Sequence, residues 1–363
     1  MALAMLSKIS SRTLIAFSAG AALAPLVRLL RHAYLRLRDG PPALALPLAF
    51  STCRIHRIRS LPGLRYKLSV SLPHGYDDAA AKSQRYPVLV ALDAEPYLFP
   101  LLTVVARTNK FFAKSVYFPD AIVIGVVADL ESEPRFHSRG RLDVPLCWQE
   151  QRPTRARDYL PTAAESPWGA PGAPSVLEVS GHTTEFVDFL CDVALPFVDA
   201  TYRTRGSDAR ALIGKSFGGS GVAAAMIHER GAKCFSEFVL GSPSIAWDDN
   251  AWFRLEAAAR AAAAPTADAI GSPPYGADVF VCHGAEKDGD PELFLRFKSV
   301  LDSRRGPRGL VDLEAIAGET HGSVSYPFVH HAFEWLKPRW AAWDAAEGDE
   351  KARRVVEEWG GRD

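Results

Sequence analysis

The stretch Arg210-Ala-Leu-Ile-Gly-Lys-Ser-Phe-Gly-Gly219 decides the fold, because a short apolar run leads into the pattern Gly-x-Ser-x-Gly and then into small, helix-compatible residues. The pattern predicts a nucleophile elbow, a tight turn from strand to helix in which Ser216 has a strained backbone conformation. Only glycine at the flanking positions 214 and 218 would avoid a clash with the neighbouring elements. An ordinary loop could contain the same pattern, so the surrounding sequence has to support it.

A histidine follows the serine at the expected place in the chain. The segment Gly318-Glu-Thr-His321 lies well downstream, after the alternating apolar run of residues 310–316. In an α/β-hydrolase the triad occurs in the order serine, acid, histidine. Imidazole titrates near neutrality, so His321 is predicted to take the proton of Ser216 and return it to the leaving group. The alternative is a histidine on a surface loop.

Three carboxylates compete for the position of the triad acid. Residues 277–282 predict a buried strand, and the loop after it contains Glu286, Asp288 and Asp290. Asp288 is preferred because it precedes a glycine, where the loop can turn its side chain toward the imidazole; Glu286 is the alternative acid and Asp290 the third choice. A carboxylate there would hold the imidazole tautomer. A serine–histidine dyad, with all three carboxylates in solvent, also stays open.

The oxyanion hole requires two backbone N–H groups that point at the developing negative charge. Phe217, directly after the serine, is predicted to supply one of them. The loop Asp93-Ala-Glu-Pro-Tyr97, after the predicted strand of residues 88–92, is predicted to supply the other through Glu95, with Ala94 as the alternative.

Further segments occur in a fixed order along residues 50–337, among them YKLSVSLPHGY (66–76), YPVLVALD (86–93), RDYLP (157–161), GSPSIAW (241–247) and GETH (318–321). With the elbow, this set resembles the putative esterase family of α/β-hydrolases, which includes siderophore esterases of the enterobactin type and, more distantly, S-formylglutathione hydrolases and mycolyltransferases. The resemblance implies a serine hydrolase that cleaves carboxylic esters, with siderophore-type esters among the candidate substrates. It implies no cofactor and no metal.

Two positions depart from the family's pattern. The family often has histidine before the nucleophile and glycine after the aspartate of the oxyanion loop, where this chain has Lys215 and Ala94. Neither replaced side chain performs the chemistry. Thioester hydrolysis or acyl transfer is the alternative activity, because the same acyl-enzyme accepts other nucleophiles. A non-catalytic binding protein with the hydrolase fold is the alternative from a different class.

Composition agrees with one large α/β domain. Of the 363 residues, 48% are hydrophobic and 23% are charged, and 42 basic side chains balance 42 acidic ones. This balance offers no argument for a nucleic-acid partner. The resemblance to the esterase family implies a small-molecule ester as the partner. The five cysteines contain no C-x-x-C pair. Composition leaves the oligomeric state open.

Residues 1–45 are predicted to form a targeting or anchor segment and linker. This region has no acid before Asp39, and its uncharged stretch of residues 13–27 is short for a membrane span. A mitochondrial-type transit peptide or a membrane anchor is favoured over a secretory signal, with a cytoplasmic protein as a further alternative. The catalytic domain is predicted over 46–340, and 341–363 is predicted as a charged helix or tail.

Strands and helices alternate along the catalytic domain. This alternation predicts an α/β-hydrolase fold with a mostly parallel central sheet that helices cover on both faces, and an antiparallel start. The predicted strands are residues 51–59, 64–72, 88–92, 121–127, 209–213, 235–241, 277–282 and 310–316; the predicted helices are 183–201, 220–229, 252–264, 292–303 and 326–336.

The stretch of residues 129–181 is predicted to be an insertion beside the nucleophile. It is rich in proline, glycine, serine and arginine, and ligands of α/β sheets bind at the carboxyl ends of the strands. Arg157 and Tyr159 are therefore predicted substrate contacts, although an ion pair between Arg157 and Asp158 is an equally good interpretation. Trp247 is predicted either to line the pocket or to pack in the core.

Overall fold

An eight-stranded sheet forms the centre of the described part of the chain, which in this computed structural model comprises residues 52–60, 64–94, 98–112, 119–129, 148–166, 175–262, 277–304 and 309–341. All eight predicted strands are present. They are β1 (Cys53–Arg59), β2 (Arg65–Ser71), β3 (Val88–Ala91), β4 (Ile122–Ala128), β5 (Arg210–Lys215), β6 (Glu237–Gly241), β7 (Asp278–Gly284) and β8 (Val311–Ile316).

The strands are arranged in the order β1-β2-β4-β3-β5-β6-β7-β8. The pairs β1–β2 and β2–β4 are antiparallel, and every later pair is parallel. The carboxyl ends of β3, β5, β6, β7 and β8 therefore meet at one edge of the sheet. The prediction of a mostly parallel sheet with an antiparallel start is confirmed.

Helices cover both faces of this sheet. The helices are α1 (Phe99–Phe112), α2 (Trp148–Tyr159), α3 (Thr183–Phe189), α4 (Leu195–Thr201), α5 (Phe217–Ile227), α6 (Gly231–Cys234), α7 (Trp247–Ala262), α8 (Pro291–Arg304) and α9 (residues 325–341).

The central strands are apolar on both sides, as parallel strands between two helical layers must be. In β3, Val88 and Val90 belong to the core on the side of α2, α5 and α8. Leu89 and Ala91 belong to the core on the side of α1 and α9. Because successive side chains of a strand point to opposite faces, one short run contributes to both cores.

Three helical predictions differ from the structure in detail. The predicted helix 183–201 is divided by a π-helical segment, Leu190–Ala194; Pro196, which has no N–H for a helical hydrogen bond, lies just after it. The predicted helix 252–264 begins earlier, at Trp247, but residues 248–250 have φ values between 45° and 60° and form a left-handed turn first. The helix predicted at 220–229 begins at Phe217, directly after the elbow.

The insertion of residues 129–181 contains a helix that the sequence pattern did not indicate. This helix, α2, is polar and has Pro153 inside it, which hides its periodicity. Among the described residues, none of the helices is both long enough and apolar enough to cross a membrane. The predicted N-terminal segment, 1–45, and the predicted tail beyond residue 341 lie outside the described residues.

Candidate active site

Ser216 lies at the turn between β5 and α5. Its backbone angles are φ 57° and ψ −120°, a region that side-chain-bearing residues rarely adopt. The strain is maintained from both sides, because Ser216 N–H donates to the carbonyl of Gly241 at 2.9 Å and its own carbonyl accepts from Ser220 N–H at 3.0 Å. The elbow therefore holds the serine at the carboxyl edge of the sheet.

The two glycines of the pattern are required because other atoms of the turn lie too close for a side chain at either position. A Cβ atom at Gly214 would lie 2.4 Å from the carbonyl oxygen of Gly218. A Cβ atom at Gly218 would lie 2.9 Å from Oδ2 of Asp93. Both distances are shorter than non-bonded contacts allow, so the turn depends on glycine at each position.

The loop after β8 places His321 against the serine. Its Nε2 lies 3.1 Å from Ser216 Oγ. Its Nδ1 lies 2.6 Å from Oδ1 of Asp288, which comes from the loop after β7. The carboxylate can only accept, so Nδ1 carries the hydrogen and Nε2 is left to accept from the serine hydroxyl. The structure brings the predicted nucleophile, base and preferred acid into one hydrogen-bonded chain.

Asp288 is buried and accepts several hydrogen bonds. Burial on its own raises the pKa of this carboxyl, but hydrogen bonds from His321, Ser242 and Gly284 outweigh burial and hold the pKa below its ordinary value. Ser242 Oγ and Gly284 N–H lie 2.5 Å and 2.6 Å from Oδ2. The carboxylate is thus charged at neutral pH and is fixed in orientation.

The two competing acids of this loop point elsewhere. Glu286 is exposed, and it contacts the histidine loop through its backbone, where its N–H donates to the carbonyl of Glu319 at 2.8 Å. Asp290 is exposed and caps α8, since its Oδ1 accepts from the N–H of Glu292 at 3.0 Å. Neither side chain lies against the imidazole in the way that Asp288 does.

The residues predicted to form the oxyanion hole belong to the start of α5 and to the loop after β3. Phe217 is the first residue of α5 and lines the cavity. The N–H of Gly218 is taken by Asp93 Oδ2, at 3.1 Å. Glu95 lies outside the described residues. Ala94, the alternative, is fully buried.

Two residues of α2 hold the start of this loop. Arg155 forms a two-pronged ion pair with Asp93, through Nε at 2.6 Å and through a terminal nitrogen at 2.7 Å. Its guanidinium also lies over the ring of Phe217, 5.1 Å from the ring centre. The hydroxyl of Tyr159 accepts from Asp93 N–H at 3.1 Å. The predicted insertion therefore supports the oxyanion loop.

A cavity of about 470 Å³ opens beside Ser216. This volume suits a small-molecule ligand. The apolar part of its wall comes from the start of α5, from the chain after β6 and from α8; the polar part includes Arg155, Lys287, Ser216, Asp288 and His321. Among the described residues, no group of histidine, cysteine, aspartate and glutamate is arranged to hold a metal ion. The apolar lining residues are Phe217, Pro243, Ile245, Ala246, Leu293 and Phe294.

The three predicted substrate contacts do not line this cavity. Arg157 pairs with Asp158, with Nε to Oδ1 at 2.7 Å, as the alternative interpretation predicted. Tyr159 is buried and supports Asp93 through its hydroxyl. Trp247 is 1% exposed and donates its indole N–H to the carbonyl of Thr162 at 3.1 Å.

Sequence reasoning missed two contributors to the site. Ser242 follows β6, has φ 41° and donates its hydroxyl hydrogen to Asp288. Its position directly after a predicted strand is the feature of the sequence that could have indicated this role. Arg155 lies two residues before the predicted contact Arg157, in a helix without an apolar periodicity. No local pattern distinguishes it from the neighbouring arginine.

Comparison with known proteins finds one family model that matches this chain and many solved structures that resemble it. The family model described as Putative esterase matches residues 161–342. Siderophore hydrolase EstA from Aspergillus nidulans is 18% identical over 82% of this chain and 96% of its own, with a TM-score of 0.58. An IroE-like serine hydrolase from Shewanella oneidensis is 20% identical over 79% of this chain and 80% of its own, with a TM-score of 0.57.

A third structure, the BES protein from Bacillus cereus, is 17% identical over 79% of this chain and 96% of its own, with a TM-score of 0.58. No curated protein sequence matches the chain. Identities this low show a shared fold, and the family model adds sequence evidence over residues 161–342.

Proposed function

We propose that this chain, which belongs to the putative esterase family of α/β-hydrolases and is a carboxylic ester hydrolase, cleaves its substrate through an acyl-enzyme intermediate on Ser216. The single observation that carries the mechanism is the hydrogen-bonded chain from Ser216 Oγ through His321 to Asp288, with distances of 3.1 Å and 2.6 Å. These are the distances that a nucleophile, its base and the group that orients the base require.

Acylation begins when Ser216 Oγ attacks the ester carbonyl carbon and His321 Nε2 takes the serine proton. Asp288 stabilises the imidazolium and keeps the Nδ1 tautomer. The carbonyl oxygen becomes an oxyanion and accepts hydrogen bonds from Phe217 N–H and from Glu95 N–H, for which Ala94 is the alternative. Collapse of the tetrahedral intermediate breaks the ester C–O bond, and His321 gives its proton to the departing alcohol.

Deacylation repeats these steps with water. His321 removes a proton from water, the hydroxide attacks the acyl carbonyl, and the Ser216 ester bond breaks with return of the proton to the serine. The products are a carboxylic acid and an alcohol. No cofactor enters this sequence of steps.

The substrate we propose is a small ester, and siderophore-type esters are the first class to test. The cavity of about 470 Å³ has both apolar and polar walls, which suits an ester with an apolar body and polar substituents. Siderophore hydrolase EstA and the IroE-like hydrolase share the fold of this chain. A matched panel of siderophore lactones, simple p-nitrophenyl esters and acyl thioesters would rank the classes by kcat/KM. A higher kcat/KM for thioesters would contradict the ester assignment.

We also propose that residues 1–45 target or anchor the enzyme. The stretch combines arginine and lysine with the uncharged segment 13–27 and has no acid before Asp39. Fluorescent fusions of the full chain and of a chain without these residues should differ in location. Identical distributions would contradict the proposal and leave the esterase assignment untouched.

The experiment that tests the mechanism is fluorophosphonate labelling of the full-length chain, followed by ester hydrolysis assays. Ser216→Ala should abolish labelling, and His321→Ala should slow it severely. Hydrolysis by either variant should fall by about 10⁴-fold or more, because a serine and its base act as a unit. Ser207→Ala, at an exposed serine in the turn before β5, is the matched control. Equal labelling of wild type and Ser216→Ala would refute the assignment of the nucleophile.

A further inference from the structure

Lys215 is a buried cation at the junction of the nucleophile and the histidine loop. It is the last residue of β5, directly precedes Ser216, and is 5% exposed. Its Nζ donates to the backbone carbonyl oxygen of His321 at 2.6 Å. The bond therefore joins the chain at the nucleophile to the backbone of the residue that acts as its base.

The loop that carries His321 has few other bonds to the sheet. It follows β8, which is an edge strand paired only with β7 in the described sheet. Its other described backbone bonds go to the neighbouring acid loop, through Glu319 and Glu286, or stay within the loop, such as Thr320 N–H to Ser323 Oγ at 2.9 Å. The His321 side chain is 46% exposed. Packing alone leaves much of this residue unconstrained.

The position of the ammonium group has an energetic cost. Burial lowers the pKa of Lys215 to about 8, and the nearby Asp288 opposes this effect. Asp93 and, more weakly, Cys282 also favour the charged form of Lys215, whereas Arg155 disfavours it. Removing a cation from water is unfavourable unless strong bonds replace its hydration. An aliphatic residue would fill the same space without this cost.

We propose that Lys215 is a positioning residue of the esterase, an inference that rests on the proposed roles of Ser216 and His321. Its bond to the His321 carbonyl fixes the loop, so that the imidazole stays in line between the serine hydroxyl and Asp288. Lys215 itself does not touch the substrate.

The test combines Lys215→Met, which removes donor and charge, with Lys215→Gln, which keeps a shorter donor without the charge. Lys215→Met should lower kcat and the rate of fluorophosphonate labelling by about 10–100-fold, because small misplacements of a catalytic group have effects of this size. KM should change by less than about threefold, because the substrate does not contact this residue. Lys215→Gln should fall between Lys215→Met and wild type in kcat, because it keeps a shorter donor for the His321 carbonyl.

The controls separate this inference from the proposed function and from a folding defect. Lys233→Met, an exposed lysine paired with Glu229, should match wild type in every measurement. Absence of labelling in wild type would refute the proposed function itself. Labelling lost in Ser216→Ala, with kcat of folded Lys215→Met within about twofold of wild type, would overturn the role of Lys215 alone. If Lys215→Met does not fold, a wild-type kcat in Lys215→Gln would overturn that role in the same way.

Discussion

At the scale of single residues, the environment of each carboxylate separates the three candidate acids. Asp288 lies with its side chain inside the fold and receives donors from His321, Ser242 and the Gly284 backbone. A carboxylate with three donors is held in one orientation and stays ionised. Glu286, two residues earlier, is in solvent. The difference is one of side-chain direction within a single short loop.

We expect Asp288→Asn to lower kcat by about 10²–10⁴-fold. An amide in place of the carboxylate would either favour the wrong tautomer of His321 or leave the imidazole without a fixed tautomer. Glu286→Gln is the matched control and should remain within about twofold of wild type, since an exposed side chain contributes little. Steady-state hydrolysis of one ester by both variants decides between them. The reverse pattern, with Glu286→Gln inactive, would move the acid to Glu286; full activity in both would favour a dyad.

At the scale of elements, helix α2 of the predicted insertion contacts the loop after β3 at the carboxyl edge of the sheet. Arg155 of this helix pairs with Asp93, whose side chain is 1% exposed and also accepts from Gly218 N–H. Asp93 has φ 55°, so its backbone requires support from neighbouring groups. The loop after β3 and the start of α5 are thereby bound to one another through a carboxylate that α2 holds in place.

Arg155→Met should destabilise the fold by about 3 kcal/mol, because it leaves a buried carboxylate without its cation. It should also lower kcat by about 10–100-fold, since a loosened loop places its oxyanion donor less well. Denaturant unfolding and ester hydrolysis measure the two effects. Arg230→Met, which removes an exposed arginine paired with Asp188, should cost at most about 1 kcal/mol. Equal effects of the two substitutions would contradict this role of α2.

At the scale of the whole molecule, one buried acid makes the stability of the fold depend on pH. Glu237 begins β6, is 5% exposed, and lies close to Trp340 of α9 on the face of the sheet. Burial raises its pKa from 4.5 to about 7, against weaker opposing effects of Ser236 and Trp340. The folded chain therefore binds a proton at this carboxyl in a range where the unfolded chain has released it.

The sign of the effect follows from this difference. The stabilisation is fully present below pH 4.5, declines above it, and is lost once the pH passes about 7. The loss should be on the order of 3 kcal/mol in the free energy of unfolding. Glu237→Gln should remove it, so that wild type and variant diverge as pH rises. Urea unfolding at pH 5 and pH 8 tests this, with the exposed Glu334→Gln as control; parallel curves for wild type and Glu237→Gln would contradict it.

The local pattern of the sequence predicted the strands, most of the helices and the candidate nucleophile. Apolar runs of strand length between helix-compatible segments predicted the central strands β3 to β7, because burial on both faces of a strand leaves a signal in every few residues. The elbow was visible because its backbone strain requires glycine at defined positions around Ser216. The order of serine and histidine followed from the chain order of the fold.

Only the tertiary structure decided which side chains complete the site. Asp288 and Glu286 lie in the same loop, and only the folded structure shows which of their side chains points at His321. The hydrogen bond from Lys215 to His321 spans 106 residues of the sequence, and the bond from Arg155 to Asp93 spans 62. These contacts join a strand end, a helix and the loops that meet at one edge of the sheet. The energy of such a contact depends on distance and burial in space, and neither quantity is encoded in the residues adjacent to it along the chain.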